Sequence, residues 1–421
     1  MLIELQVCNF RSFRENQIFS MVAGAYPEHL GTNTFDPGLP GFNRLLRSGA
    51  VYGSNAAGKT NLLRALQFIQ SLVLNSASST PATAPPYTPF KFSKATRRKP
   101  SRFQVTFIQH GVRYEYGFAM DAVRIREEWL MEYVNPRGRA IFTRMFDDKK
   151  HDYTWKFSTF LKGQRSVWSA ATRPNALFLS TAIQLNSKQL LPVFEWFQKR
   201  LVVIVGPQTL NQTLTFQLFE RPEGKGELLP FLREADLGIT DVQIEREAMP
   251  TSPGRMLVMD GSSIIEQRPG VPVPNLLKVT LSHGVGKEDV ALDLSEESAG
   301  TQELFKNAGA WLNVFKNGEV LVIDEIDKSL HPLLTRFLIQ RFHSSKLNPH
   351  NAQLIFSTHN TYLLDQDLLR RDQIWFVEKD SSGASRLYPL TDFKPRNDEV
   401  LERGYLRGRY GALPVLDEIA K

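Results

Sequence analysis

The chain begins with apolar and polar side chains in alternation. Residues 1–10 follow the period of a β-strand, and they lack the continuous apolar block of a signal peptide. The segments 103–107 and 112–118 alternate in the same way on either side of a Gln-His-Gly turn, so they predict a β-hairpin. Between residues 62 and 73, apolar side chains recur at helical steps, which predicts a helix with one buried face.

Two short apolar runs in the last third of the chain have a different character. Residues 320–323 and 354–356 are continuously apolar, each run ends in polar residues, and a helical stretch, 333–342, separates them. Parallel strands that are buried on both faces show this pattern, with functional groups at their carboxyl ends. The order of strand, helix and strand therefore predicts an α/β fold with right-handed crossovers.

Composition narrows the class of protein. With 421 residues, of which 42% are hydrophobic and 23% charged, the chain is typical of a soluble globular protein and not of a disordered or collagen-like one. A single cysteine, Cys8, excludes a disulfide scaffold and a cysteine-based zinc site, and no apolar run approaches the roughly 20 residues of a membrane helix. These features predict a cytoplasmic protein that has no membrane partner. The net charge of +7 permits nucleic acid as a partner but does not demonstrate it.

A glycine-rich segment lies between a short apolar stretch at 50–52 and the predicted helix. Residues 53–60 match the phosphate-binding pattern GxxxxGK[ST] in the strand-to-helix context that this pattern requires. Glycines let consecutive backbone N–H groups point at phosphate oxygens, and the helix N-terminus adds roughly half a positive charge. We predict that Lys59 bridges the β- and γ-phosphates of ATP and that the Thr60 hydroxyl ligates Mg²⁺. The predicted nucleotide-binding residues of this segment are Gly53, Ser54, Asn55, Ala56, Ala57, Gly58, Lys59, Thr60 and Asn61.

Two acids follow the apolar run at 320–323. Asp324 at the strand tip suits Mg²⁺, directly or through water, and Glu325 would polarise the attacking water as general base. Two acids after a strand are also common at helix starts, where they interact favourably with the helix dipole. The phosphate-binding loop favours the catalytic interpretation, because an NTPase needs a second acidic element on a neighbouring strand.

Two further features choose among the folds that carry such a loop. Ser298 and Gly300 belong to a Ser-Ala-Gly-Thr-Gln segment that opens an apparent helix, whose free N–H groups can bind an anion. The alternative for this segment is an ordinary serine N-cap. His359 follows the run at 354–356 at the end of a strand, in line with the acidic pair, where it can hydrogen-bond a γ-phosphate.

In this order, the loop, the Ser-Ala-Gly-Thr-Gln segment, the acidic pair and the histidine resemble the ABC-type ATPase head of SMC, RecF-like and OLD-like proteins. The resemblance implies an ABC-type P-loop fold with a mixed sheet, which uses ATP and Mg²⁺ and forms a homodimer or an oligomer of dimers. Ser298 and Gly300 would then contact the γ-phosphate bound to a second subunit. His359 would be the switch histidine, and Asp327 would lie in the D-loop at the dimer interface.

The same resemblance implies roles for two more residues and a division into domains. Arg11 matches the arginine that such heads carry after their first strand, often near the nucleotide, and its alternative is a surface arginine. Gln184 is our candidate for the glutamine that senses Mg²⁺. Since the loop and the acidic pair must meet in one site, we expect residues 1–90 and 286–421 to form one head. Residues 91–285 would be an inserted hairpin and helical region that serves as a lid or binds a partner.

Four segments narrow the resemblance to bacterial AAA-type abortive-infection ATPases of the RloA-like and AbiLii-like group, which are similar in kind to the ATPase of the PARIS anti-phage system. They are residues 297–302, 324–332, 370–376 and 408–412. The resemblance implies an ATPase that senses a trigger, such as nucleic acid or a phage protein, and controls a separately encoded effector, such as a TOPRIM-type nuclease or a toxin. Since residues 360–421 are too few for a fused TOPRIM domain, we expect any nuclease to come from a partner.

Two other functions stay open at this point. A RecF-like DNA repair ATPase would act on DNA directly, and two basic groups, at 94–99 and 396–409, could meet its phosphates. Each group could equally be a solvated face, and the second could dock a partner protein. A scaffold that binds ATP but scarcely hydrolyses it is the other alternative, although intact Lys59, Asp324 and Glu325 argue against it.

Overall fold

The computed structural model describes residues 1–134, 137–206, 210, 212–219, 221–235, 238–248, 264–266, 275–285, 288–328, 330–396 and 399–414. Its strands, numbered in chain order, are β1 (Leu2–Cys8), β2 (Gln17–Ser20), β3 (Thr34–Phe35), β4 (Leu45–Leu46), β5 (Ser48–Tyr52), β6 (Ser101–Gln109), β7 (Val112–Met120), β8 (Ile125–Tyr133), β9 (Arg139–Asp147), β10 (Asp152–Phe157), β11 (Leu201–Ile204), β12 (Ile239–Ala248), β13 (Ile264–Glu266), β14 (Asn275–Val285), β15 (Glu288–Asp293), β16 (Val320–Ile323), β17 (Gln353–Ser357), β18 (Ile374–Lys379) and β19 (Ser385–Pro389).

The α-helices are α1 (Lys59–Asn75), α2 (Arg165–Ala171), α3 (Phe178–Gln184), α4 (Leu191–Glu195), α5 (Thr213–Phe219), α6 (Pro222–Glu234), α7 (Ala299–Asn317), α8 (Pro332–His343) and α9 (Leu401–Leu406). Short 3₁₀ turns occur at Ser76–Ser78, Thr96–Arg98, Leu294–Glu296, Thr361–Leu363, Arg371–Gln373 and Leu390–Phe393, and a π-helical turn at Trp196–Arg200. Among these described helices, none is both long enough and apolar enough to cross a membrane.

The described residues form two compact units. The first lies within Met1–Gly206, Asn317–Ile326 and Leu338–Lys421, and the second within Pro207–Lys316 and Asp327–Phe337. This grouping differs from the expected boundaries at residues 90 and 286, because residues 91–206 share a unit with residues 1–90. The physical reason is backbone pairing: β6 pairs with β1, so β6 to β10 continue the sheet that β1 and β2 begin.

One sheet of the first unit is antiparallel and has seven strands, in the order β10-β9-β8-β7-β6-β1-β2. The alternation of the first residues is confirmed as β1, and the predicted hairpin is confirmed as β6 and β7, which pair from Ser101↔Met120 to Gln109↔Val112. One face of this sheet is buried, since Leu5, Val105 and Tyr116 are almost fully inaccessible.

The second sheet of this unit is mixed and has the order β11-β16-β17-β5-β18-β19. The first five strands run parallel, and β19 is antiparallel to β18. Both apolar runs of the last third are confirmed as parallel neighbours, with Val320 opposite Gln353 and Ile323 opposite Phe356. The α/β class with a mixed sheet is therefore confirmed.

One hydrophobic core joins the inner faces of both sheets with the buried side of α1. The residues of α1 that recur at helical spacing, Leu62, Leu66, Ile69 and Val73, all belong to it, as the sequence predicts. A helix that presents one apolar stripe is stabilised mainly by such packing rather than by its intrinsic propensity. The core thereby fixes the direction in which the N-terminus of α1 points.

The second unit combines an antiparallel sheet, in which β14 pairs with β12, β13 and β15, with helices α5, α6 and most of α7. Helices α5 and α7 approach closely at Thr215, whose hydroxyl donates to the carbonyl of Lys306 at 2.7 Å and accepts from the N–H of Gly309 at 2.9 Å. The absence of a Cβ at Gly309 allows this approach.

A buried histidine lies behind the parallel sheet, at the end of α8. The Nε2 atom of His343 is 2.8 Å from the hydroxyl of Ser48 in β5 and 3.4 Å from Nε2 of Gln373. Burial, with Arg47 and His29 nearby, lowers the pKa of His343 from 6.5 to about 3. The folded protein therefore holds this imidazole neutral.

We expect this histidine to make the protein less stable in mild acid. Below pH 6.5 the unfolded chain binds a proton that the folded chain refuses until about pH 3, so stability falls as pH falls. The loss is about 2 kcal/mol between pH 6.5 and 5. Urea denaturation at pH 7.5, 6 and 5 measures it, and His343→Gln is the comparison because glutamine does not titrate. Equal pH dependence in the two proteins would contradict the assignment.

Candidate nucleotide-binding site

The loop between β5 and α1 has a backbone that only certain residues allow. Gly53 and Gly58 have φ angles of 156° and 121°, and Ala56 between them has φ 60°. A Cβ on Gly53 would collide with the carbonyl oxygen of Val377, and one on Gly58 would lie 2.8 Å from the hydroxyl of Ser12. Both glycines of the GxxxxGK pattern are therefore required by sterics as well as by backbone conformation.

The helix that follows the loop begins without a side-chain cap. The residue before the helix, Gly58, has no side chain that could cap it, and the first turn of α1 contains no acid. The helix dipole and the N–H groups of the first turn, which have no partner within the helix, make such a terminus suitable for anions. The loop and the helix start thus have the geometry of a phosphate cradle.

Lys59, the first residue of α1, is buried and points back into the loop. Its Nζ donates to the carbonyls of Gly53 at 2.8 Å and Ser54 at 3.1 Å, and it lies 2.9 Å from Nε2 of His359. The predicted phosphate lysine and the predicted switch histidine, which are 300 positions apart in the chain, meet in the structure.

The acidic pair lies at the neighbouring strand tip. The hydroxyl of Thr60 donates to Oδ1 of Asp324 at 3.2 Å, and the hydroxyl of Ser357 donates to the same oxygen at 2.5 Å. The Ser357 hydroxyl also accepts from the backbone N–H of Glu325 at 2.8 Å. Glu325 has φ 53°, a left-handed conformation that such a bond helps to hold. Sequence reasoning missed Ser357, although its place at the end of an apolar run, two residues before His359, was a usable signal.

A cavity of about 390 Å³ lies beside these residues, and Asp324 and Ser357 are not part of its lining. Its lining consists of Asn55, Ala56, Gly58, Lys59, Thr60, Asn61, Arg64, Glu325, His359 and Lys379. The structure therefore brings the loop, Glu325 and His359 together. Arg64 and Lys379 line the cavity without having been predicted. Arg64 follows Thr60 by one helical turn, and Lys379 ends another short apolar strand. Both positions could therefore have been predicted from the sequence to lie near the loop.

Arg11 does not line this cavity, but it lies close to it. Its backbone has φ 51°, and its N–H donates to the carbonyl of Thr88 at 2.8 Å. Partial burial and the positive charge of Arg64 lower the pKa of Arg11. The next residue, Ser12, accepts a hydrogen bond at 2.9 Å from Asn61 of the phosphate-binding segment. A role of Arg11 in nucleotide binding stays a prediction.

Ser298, Gly300 and Asp327 belong to the second compact unit. The hydroxyl of Ser298 accepts from the N–H of Thr301 at 3.1 Å, so it caps the start of α7, as the alternative interpretation held. Ser298 is nevertheless exposed, so capping leaves its outer side open to a ligand. Contact of Ser298 and Gly300 with a nucleotide on another subunit stays a prediction.

The structure does not place Gln184 at the cavity. Its amide donates to the hydroxyl of Ser78 at 3.2 Å, and Ser78 lies just beyond the C-terminal end of α1. The 17 residues of α1 separate that end from the phosphate loop by about 25 Å. The reason is the anchoring of α3: buried Glu128 accepts from the N–H groups of Phe178 at 2.6 Å and Leu179 at 3.0 Å.

Part of the chain matches a family of known proteins. A family model described as "AAA domain, putative AbiEii toxin, Type IV TA system" matches residues 50–365, which include the loop, the acidic pair and His359. Among solved structures, the SMC head domain from Thermotoga maritima is similar over 92% of this chain and 98% of its own, at 13% identity and a TM-score of 0.41. The SMC head bound to the C-terminal winged-helix domain of ScpA covers 92% and 97%, at 13% identity and a TM-score of 0.37. No curated protein matches the chain.

We expect Gly58→Ala to weaken nucleotide binding at least tenfold. The added Cβ would approach the hydroxyls of Ser12 and Ser385 while φ stays at 121°, so the loop must shift. Titration with a fluorescent ATP analogue measures the change.

Gly31→Ala is the matched control for this substitution, because a Cβ at Gly31 meets nothing within 4 Å. Unchanged affinity in Gly58→Ala, with circular dichroism like that of the control, would contradict the phosphate-cradle geometry.

Proposed function

This chain belongs to the family of AAA domains described as putative AbiEii toxin of type IV toxin–antitoxin systems, and from that premise we propose that it is an ATP-hydrolysing switch of a bacterial anti-phage system. One observation carries the ATPase part of the proposal. Lys59, Thr60, Asp324, Glu325 and His359 follow the ends of three strands and lie together at the loop between β5 and α1.

The residues present fit ATP with Mg²⁺. Thr60 Oγ1 and Asp324 Oδ1 are 3.2 Å apart, which matches two neighbouring oxygen ligands of an octahedral ion with metal–oxygen distances of about 2.1 Å. In the described part of the chain, no cluster of three or more histidine, cysteine or acidic side chains could hold a metal by itself. A site with few protein ligands suits Mg²⁺, which usually keeps waters and takes phosphate oxygens as well. When bound, Mg²⁺ neutralises the charge that develops on the phosphate oxygens.

The protein's own residues would then divide the work as follows. Lys59 and the N-terminus of α1 hold the phosphate chain, and His359 is within hydrogen-bonding distance of Lys59 at the same end of the cavity. Glu325 is exposed at the cavity wall, where its carboxylate can orient a water molecule and accept a proton from it. Ser357 holds the Asp324 carboxylate and the backbone of Glu325 in a fixed relation. In this arrangement Asp324 would bind the metal and Glu325 would act on the water molecule.

The proposed switch is a dimer closed by ATP. Ser298 and Gly300 stand at the start of α7, where N–H groups of a helix terminus can meet an anion. In a second copy of the chain, this terminus would complete the γ-phosphate site, so ATP would hold two subunits together and hydrolysis would release them. Asp327, three residues after Asp324, would lie at the same interface.

The proposed output is control of a separately encoded effector, a toxin or a TOPRIM-type nuclease. The family description, which refers to a toxin and to a toxin–antitoxin system, supports a role of this kind. A trigger, a phage protein or a nucleic acid, would change the lifetime of the closed dimer and so release or activate the effector. Purification of the protein from its native cells, with and without ATP, tests whether an effector co-purifies. Lys59→Ala is the control, because a chain that does not bind ATP cannot form the closed dimer. If the same partner co-purifies with and without ATP, effector binding does not depend on the ATP switch.

We expect Glu325→Gln to trap the closed dimer. Glutamine keeps the size of the side chain but accepts no proton, so phosphate release should fall at least a hundredfold while ATP still binds. In size-exclusion chromatography with ATP, the variant should elute as a larger species than the wild type.

Glu127→Gln, on the first sheet and far along the chain from the acidic pair, controls for loss of one negative charge. Normal turnover of Glu325→Gln, together with an unchanged elution volume, would disprove the closed-dimer mechanism.

A further inference from the structure

A lysine that belongs to none of the motifs discussed above, Lys379, lines the nucleotide cavity. Lys379 is the last residue of β18, which pairs in parallel with β5, Phe376 lying opposite Tyr52. Since the phosphate loop starts directly after Tyr52, the end of β18 runs beside the loop. The close fit of Gly53 against the carbonyl of Val377 shows how tightly the two segments pack.

The hairpin that carries Lys379 is fastened to the loop. Lys379 pairs with Ser385 across the β18–β19 hairpin. The N–H of Ser385 donates to the carbonyl of Ser12 at 2.7 Å, and its hydroxyl donates to the carbonyl of Ala57 inside the phosphate loop. The backbone position of Lys379 is therefore set relative to the phosphate cradle, while its side chain is exposed to solvent and lines the cavity.

The two acids next to Lys379 in sequence are both engaged elsewhere. Glu378 points to the opposite face of the strand, where it accepts from the hydroxyl of Tyr388 at 3.1 Å. Asp380 accepts from the N–H groups of Ser382 at 2.8 Å and Ala384 at 2.9 Å in the hairpin turn. Among the described residues, Lys379 itself has no hydrogen bond or ion pair through its side chain, and it faces the cavity.

The charge on the cavity wall favours an anion. Lys59, Arg64 and Lys379 line it, whereas Glu325 is the one acid among the lining residues. Like charges held near one another are unfavourable unless a bound anion offsets them. An ammonium group is a compact charge that suits phosphate oxygens.

We propose that Lys379 is a further nucleotide-binding residue, which supplies a second ammonium group to the phosphate chain from the β18–β19 hairpin. The inference rests on the proposed ATP site and deepens it. Lys59 holds the phosphates from the helix side, and Lys379 adds a contact from the last strand pair, which the sequence motifs of the loop do not contain. The affinities for ATP and ADP, which carry charged phosphates, therefore depend on Lys379, whereas the affinity for adenosine does not.

Replacement of Lys379 by glutamine tests this proposal. Competition against a fluorescent ATP analogue should show about a tenfold weaker affinity for ATP, with adenosine changed less than about twofold, because only the charged contact is lost. Lys379→Arg should recover most of the ATP affinity. The ATP effect should shrink between 50 and 500 mM NaCl, since salt screens an exposed charge.

Arg386→Gln is the matched control. It removes one positive charge from β19 of the same hairpin, where Arg386 lies over the ring of Tyr388 and does not line the cavity. If Lys379→Gln binds ATP as tightly as Arg386→Gln does, Lys379 is not a nucleotide-binding residue. Equal losses for ATP and adenosine in Lys379→Gln would also overturn the phosphate assignment.

Lys59→Ala separates this inference from the proposed function. If the wild type binds ATP and Lys59→Ala does not, the ATP site stands, and the comparison of Lys379→Gln with Arg386→Gln decides the role of Lys379 alone. If the wild type fails to bind ATP, or Lys59→Ala binds it equally well, the proposed ATP site itself is wrong.

Discussion

Parallel hydrogen bonding of β5 with β17 on one side and β18 on the other is the constraint on which the site depends. Carboxyl ends of parallel strands lie at one edge of a sheet, so the residues that follow each strand must meet there. The phosphate loop follows β5, His359 follows β17, and Lys379 ends β18. β16, on the far side of β17, brings Asp324 and Glu325 to the same edge. β5, β16 and β17 are buried along their whole length, and a slip of one residue would move the group at a strand end by about 3.3 Å relative to its neighbours.

Two serine hydroxyl groups hold the segments that follow these strands in place by hydrogen bonds. Ser357 links Asp324 to the backbone of Glu325, and Ser385 links the last hairpin to the phosphate loop. Each such bond contributes only about 1 kcal/mol to stability, and the bond to the Asp324 carboxylate about 2 kcal/mol. Their larger effect is on geometry, because a site that is already ordered loses less entropy when a ligand binds. The left-handed backbone at Glu325 is an example of a conformation that the surrounding hydrogen bonds hold in place.

The site also concentrates positive charge. Lys59, Arg64 and Lys379 line the cavity together with one acid, Glu325, and partial burial together with the charge of Arg64 lowers the pKa of the nearby Arg11. A polyanion that bound there would stabilise the folded state by mass action, because it interacts with the folded chain only. Stability and ligand binding are thereby coupled in the first compact unit, where the core around α1 fixes the orientation of the loop.

The sequence by itself determined the elements and the loop. Alternation predicted β1 and the β6–β7 hairpin, helical spacing predicted α1, and continuous apolar runs predicted β16 and β17, because these periods are local properties of the backbone. The sequence pattern also predicted the glycines at 53 and 58, because a positive φ and the close approach of neighbouring atoms both require glycine. Only the tertiary structure decided which further side chains join the predicted ones. It joined residues 91–206 to the first sheet, placed Gln184 at the far end of α1, and brought Ser357, Ser385 and Lys379 to the loop. Those outcomes depend on contacts between distant segments, such as the pairing of β1 with β6 and of β5 with β18, which no local pattern encodes.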